Sequence, residues 1–149
     1  MIETTLRSLA LSGYRSYNND LEQNKIQLND INIIIGANGA GKSNLISFIE
    51  MVSFMMSRGL ARHVAKQGGA QSLLYCGATR AEEIRGKLQI HDTQNRKEDT
   101  YSFALEQNAL NQLFFTSEQM SYQDDVHYSP YEEDFGDGHF ESKLADQWN

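Results

Sequence analysis

Ile31-Asn32-Ile33-Ile34-Ile35-Gly36-Ala37-Asn38-Gly39-Ala40-Gly41-Lys42-Ser43-Asn44-Leu45 decides how the rest of this sequence is read. Ile31 to Ile35 is almost wholly β-branched, the composition of a strand buried on both faces. Lys42 to Arg58 has the length and composition of a helix, with Leu45, Ile46, Ile49, Val52 and Met56 recurring at three- and four-residue spacing. Phe48, Met51 and Met55 widen its apolar face, so the helix should be mostly buried, with Gly59 placed to end it. Between strand and helix, Gly36 to Ser43 matches G-x-x-x-x-G-K-[ST]. Glycines at 36, 39 and 41 let the backbone turn tightly and bring its N–H groups against phosphate oxygens. The helix start adds free N–H groups and the positive end of its dipole. Lys42 can reach the β- and γ-phosphates as a point charge, and the Ser43 hydroxyl can ligate Mg²⁺.

Working outward, Leu6 to Tyr14 reads as a short strand ending in a glycine, and Lys25 to Leu28 alternates like another. Leu60 to Lys66 is a second short helix, closed by Gly68-Gly69. Gly86 to His91 and Thr100 to Glu106 are strands of a hairpin, and Leu113 to Thr116 a further strand. After Ser117 the pattern dissolves. The expected fold class is α/β: the N-terminal lobe of a P-loop NTPase with an antiparallel β part. Residues 1–116 form the lobe, and 117–149 an acidic, irregular segment.

At 149 residues the chain is long enough for a real core. One cysteine, Cys76, excludes an internal disulfide and a multi-cysteine zinc site, and reads as a small buried hydrophobe. No apolar run reaches the roughly 20 residues that span a bilayer, and the first residues do not read as a signal peptide. The expectation is a cytoplasmic chain. The net charge of -7 is unevenly placed: from Ser117 onward nine acids face one base, whereas the first 116 residues hold twelve bases and eleven acids. The whole-chain charge therefore says little about what the N-terminal part binds. Arg58, Arg62 and Lys66 repeat every four residues, with Arg80, Arg85 and Lys87 further on; a solvated face and a nucleic-acid contact both fit that pattern. Asp134-Phe135-Gly136 spells the kinase metal triplet without the rest of a kinase, and His127 and His139 among Asp124, Asp125, Asp137 and Glu141 match no defined metal spacing.

Two stretches carry a family resemblance. Leu9-Ala10-Leu11-Ser12-Gly13-Tyr14-Arg15-Ser16-Tyr17 and Ile33 to Leu45 together resemble the N-terminus of RecF/SMC-like ABC-type ATPases, and most of all the bacterial "AAA family" ATPases among them. Asn44, where transporter ATPases carry Ser or Thr, leans the same way, and Gly69 to Gly77 is similar to a segment those ATPases also carry. The resemblance is strong over 6–59 and weak beyond about 122.

The resemblance implies an ATP-operated head that binds ATP and Mg²⁺ through Gly36, Ala37, Asn38, Gly39, Ala40, Gly41, Lys42, Ser43 and Asn44. Arg15 and Ser16 stand at the mouth of the site, and Ser43 is the metal ligand. It implies a homo-oligomer or a partner lobe, because each nucleotide is completed by the signature loop of another head. It further implies DNA repair or anti-phage defence beside a nuclease effector. A Q-loop glutamine is implied too, and Gln67, Gln71, Gln112, Gln119 and Gln123 all qualify. The Walker B carboxylates and the signature motif are not found in this sequence. The chain thus reads as the N-terminal portion of a larger ATPase, inactive alone. The alternative is a nucleotide-binding regulatory or interaction module without turnover.

Overall fold

The computed structural model describes residues 4–77, 81–92, 97–123 and 130–147. Strands β1 (Thr4–Ser12), β2 (Lys25–Gln27), β3 (Glu83–Asp92), β4 (Lys97–Gln107), β5 (Leu113–Tyr122) and β6 (Tyr131–Asp134) make one antiparallel sheet in the order β2-β1-β3-β4-β5-β6. The helices are α1 (Lys42–Met56), α2 (Leu60–Lys66) and α3 (Leu144–Gln147). Alternation along the strands sends one set of side chains to the helices. Leu9, Leu11, Ile84, Leu88, Tyr101, Phe103, Leu105, Phe115 and Met120 meet Leu45, Phe48, Met51 and Met55 of α1 in one core. Phe48 is its pivot: its ring lies 6.1 Å from Phe103 and 5.2 Å from Tyr14. The other face of the sheet exposes Arg85, Lys87 and Gln119.

The antiparallel part follows the expectation, with longer strands. Leu113 begins a strand that continues through Ser117 to Tyr122, and β6 lies within the acidic stretch where no element was expected. Its Glu132, Glu133 and Asp134 hide the strand from a reading based on apolar alternation.

Two expectations are overturned. Ile31 to Ile35 is not a buried strand: it lies outside every ladder, with Ile31, Ile33 and Ile35 more than 80% exposed. A strand buried on both faces needs neighbours along both edges, and the described residues supply none. The face of α1 also differs. Phe48, Met51 and Met55 are fully buried, while Ile46 (63% exposed) and Ile49 (44%) point away from the sheet. Phe48 and Met51 fill the space over the sheet, so the isoleucines on the opposite side of the helix are left uncovered.

Smaller corrections concern single residues. The left-handed residue after α1 is Arg58 (φ 54), not Gly59. Arg58 lies outside α2 and pairs with Asp146, so it does not share a helical face with Arg62 and Lys66. Cys76 is exposed rather than buried, because it sits at φ 53 in the turn that follows the Tyr14–Leu74 bridge. Arg80, Asp124, Asp125 and His127 lie outside the described residues.

Candidate functional site

The loop from Gly36 to Ala40 is exposed along its whole length. Gly39 (φ 85) and Gly41 (φ 91) adopt left-handed backbone that favours glycine. Gly41 is the N-cap of α1. It offers no side chain to the helix, the first turn holds no acid, and the first helical bond runs from Leu45 N–H to Gly41 O, 3.0 Å. The N–H groups of Lys42, Ser43 and Asn44 therefore lack helical partners and point out of the helix end, the arrangement that receives an anion. Lys42 folds back over the loop, its Nζ donating to Gly36 O (2.5 Å) and Ala37 O (2.6 Å). The ammonium is thus held against the first two carbonyls of the loop. Ser43 is exposed, with no hydrogen-bond partner among the described residues.

The turn after β1 braces this loop from behind. Tyr14 OH meets Ser47 Oγ at 2.8 Å, Asn44 Nδ2 donates to Ser16 Oγ at 2.8 Å, and Tyr17 OH donates to Gly41 O at 3.3 Å. Positions 41, 44 and 47 lie three apart, so one side of the first two turns of α1 is stitched to Tyr14, Ser16 and Tyr17. Burial pushes both phenols above their ordinary pKa, so they stay neutral donors. A Cβ on Gly41 would stand 3.1 Å from Ser16 Oγ and 3.5 Å from Tyr17 Oη, a second reason for glycine there. Tyr17 is the residue that sequence reasoning missed. Its only signal was an aromatic ring two places after Arg15.

Arg15 and Ser16 separate in the structure. Ser16 reaches the loop. Arg15, at φ 47, turns to the end of α2, where its guanidinium donates to Gln67 Oε1 at 2.6 Å and lies 5.7 Å from the Tyr14 ring centroid. Its Nε is buried and has no hydrogen-bond partner among the described residues. Among the Q-loop candidates, Gln67 thus holds Arg15, Gln112 closes the β4–β5 turn against Asn108, Gln119 faces Asp134, and Gln71 and Gln123 are exposed. Asp134 and Gly136 form a local turn, Gly136 N–H donating to Asp134 Oδ1 at 2.8 Å. His139 bonds to Glu118, and no group of metal-ligating side chains occurs among the described residues.

The donor set fits a triphosphate with its magnesium: free backbone N–H groups, a lysine at the loop mouth, and an uncommitted hydroxyl. Among the described residues no carboxylate is hydrogen-bonded or ion-paired to residues 36–44.

Residues 31–145 match the family described as "AAA domain, putative AbiEii toxin, Type IV TA system". The chain belongs to this AAA domain family. The match begins at Ile31 and includes the whole loop, so the motif, its backbone geometry and the family agree on a P-loop ATPase domain. No curated protein and no solved structure matches the chain. In this AAA domain Gly36 to Asn44 would cradle the nucleotide phosphates, and Ser43 would ligate Mg²⁺. No helix among the described residues is long and apolar enough to cross a membrane.

Proposed function

We propose that this AAA domain is the ATP-binding part of a RecF/SMC-like, ABC-type ATPase. It hydrolyses ATP only when strands and carboxylates from a C-terminal lobe complete it. The division expected at residue 116 does not bound this part, because β5 runs across it and β6 joins the same sheet. The observation that carries nucleotide binding is Lys42 held over an open, glycine-turned loop at an uncapped helix N-terminus. The bare, unpaired Ile31 to Ile35 supports completion, since exposed β-branched residues beside a P-loop are what an absent layer of sheet leaves behind. The family description names a toxin of a type IV TA system. That adds toxin–antitoxin function to the cytoplasmic settings of DNA repair and anti-phage defence, in which such a head works as an oligomer, with a nuclease effector and nucleic acid as partners.

The alternative is a nucleotide-binding module without turnover, a reading that rests on a sequence in which no Walker B carboxylate pair is found. Calorimetry with Mg²⁺-ATP tests the binding both readings require. Lys42→Ala should weaken affinity about tenfold or more, equivalent to roughly 1.4 kcal/mol or more. Equal affinity in the variant would remove both readings. A steady-state assay then separates an incomplete enzyme from a complete one: the chain alone should show no multiple turnover.

A further inference from the structure

Glu118 is fully buried in the middle of β5, at 0% exposure. A buried carboxylate is tolerated only when its acceptor sites are filled. Here Oε1 accepts from Tyr101 OH (2.7 Å) and Ser142 Oγ (2.5 Å), and Oε2 accepts from the Lys143 N–H (2.9 Å) and meets His139 Nε2 (2.8 Å). Three of the four partners come from one stretch, residues 135–147.

That stretch is a strap across the helical side of the domain. Phe135 N–H bonds to Glu118 O, Gly138 N–H to Phe115 O, and Phe115 N–H to His139 O. The His139 ring stacks on Phe115 at 4.7 Å. Beyond this point Glu141 accepts the Leu60 and Ala61 N–H groups at the start of α2 (2.9 and 3.1 Å), and Asp146 pairs with Arg58 after α1. Yet from Tyr131 to Lys143 only Ser142 is buried; Leu144 and Ala145 are the strap's fully buried apolar residues, while Phe135 and Phe140 are only partly covered, against the core and the Phe114 ring.

We propose that Glu118 is a latch. Its buried carboxylate holds the 135–147 strap closed over the ends of α1 and α2, and the strap opens as a unit while the sheet and α1 stay folded. The all-or-none character follows from the charge. A partly lifted strap strips donors from a carboxylate that water does not reach, whereas full release exposes the carboxylate to water. The intermediate arrangements are the costly ones. Most of the strap's residues are exposed or half-exposed, with Ser142, Leu144 and Ala145 alone among residues 135–147 fully buried, the character of a segment that opens below the global unfolding free energy. The latch works whether or not nucleotide is bound. It gives the domain a movable element tied to the far end of the helix whose start carries the loop.

Native-state hydrogen exchange on the 149-residue chain tests it. Glu118→Gln keeps the shape and removes the charge. The Gly138 and Lys143 amides, with Leu60 and Ala61 across the strap, should exchange about tenfold faster or more, while Leu9 and Leu88 in the sheet keep their protection. Ser142→Ala removes one donor and leaves Glu118 in place; it should accelerate the same four amides by a smaller factor, and it decides the matter if Glu118→Gln does not fold. Unchanged exchange in a folded variant overturns the latch. So does acceleration spread evenly into β1 and β3, because Glu118 would then be an ordinary part of the global core.

Discussion

Gly86 shows how closely α1 sits on the sheet. A Cβ built there would stand 2.3 Å from the Phe103 ring and 3.0 Å from that of Phe48, so the missing side chain is what lets the helix approach. Gly86→Ala should cost about 1–3 kcal/mol, read from the midpoint of urea unfolding at constant slope. At the loop end of the helix, Tyr14→Phe leaves the buried Ser47 hydroxyl without its partner; the same measurement should show a loss of about 1–3 kcal/mol. His63 gives a pH dependence. It is buried against Phe54, with ring centroids 4.8 Å apart, and desolvation holds its pKa below the ordinary 6.5; nearby Glu50 acts against that shift, Arg15 and Lys66 with it. The folded chain therefore keeps His63 neutral where the unfolded chain takes up a proton. Stability should be complete above about pH 6.5 and fall as the pH drops below it, and His63→Gln should flatten that slope in unfolding curves recorded between about pH 7 and 5. The P-loop glycines, Lys42 and Ser43 are legible from their identities, because each residue type serves one backbone or charge requirement. Tyr17 and Glu118 are not: a phenol under a loop and a buried carboxylate take their roles from partners distant in sequence.

At the scale of elements, α1, α2 and the β3–β4 hairpin were visible in the sequence because helical spacing and strand alternation are local properties. The orientation of α1 was not. Ile46 and Ile49 carry the same periodic signal as Leu45 and Val52, and only the position of the sheet decides which of them is covered. Phe48→Ala should cost about 3–5 kcal/mol, as removal of a buried ring does. Ile49→Ala should change the stability of this chain by less than about 0.5 kcal/mol, since its side chain already meets water. Thermal and urea unfolding of the two variants side by side check this contrast. An equal loss at both positions would mean that the helix packs with its other face on the sheet.

For the whole molecule, the notable surface is the one left open. Ile31, Ile33, Ile34 and Ile35 on the segment before the loop, with Ile46 and Ile49 on α1, are all exposed. Isolated exposed apolar residues are ordinary, whereas four isoleucines within one five-residue segment are not. Replacing Ile33 and Ile35 together by Asp should leave the folding free energy within about 1 kcal/mol of the parent, treating each as a surface change of up to roughly 0.5 kcal/mol. It should also lower binding of a hydrophobic dye and reduce self-association in sedimentation. A large loss of stability in that variant would show that the segment is already packed in this chain.

The nucleotide loop, the helix it opens, the central hairpin and the acidic bias after Ser117 can be read along the chain, because neighbours a few residues apart fix them. Tertiary structure alone decided that Ile31 to Ile35 lies bare, that Ser16 and Tyr17 brace the loop while Arg15 turns to Gln67, and that Glu118 gathers Tyr101, His139, Ser142 and Lys143 around one carboxylate. The physical reason is the range of the forces involved. Backbone conformation and periodicity are set locally along the chain, but burial and hydrogen-bond satisfaction depend on which distant segments arrive to exclude water.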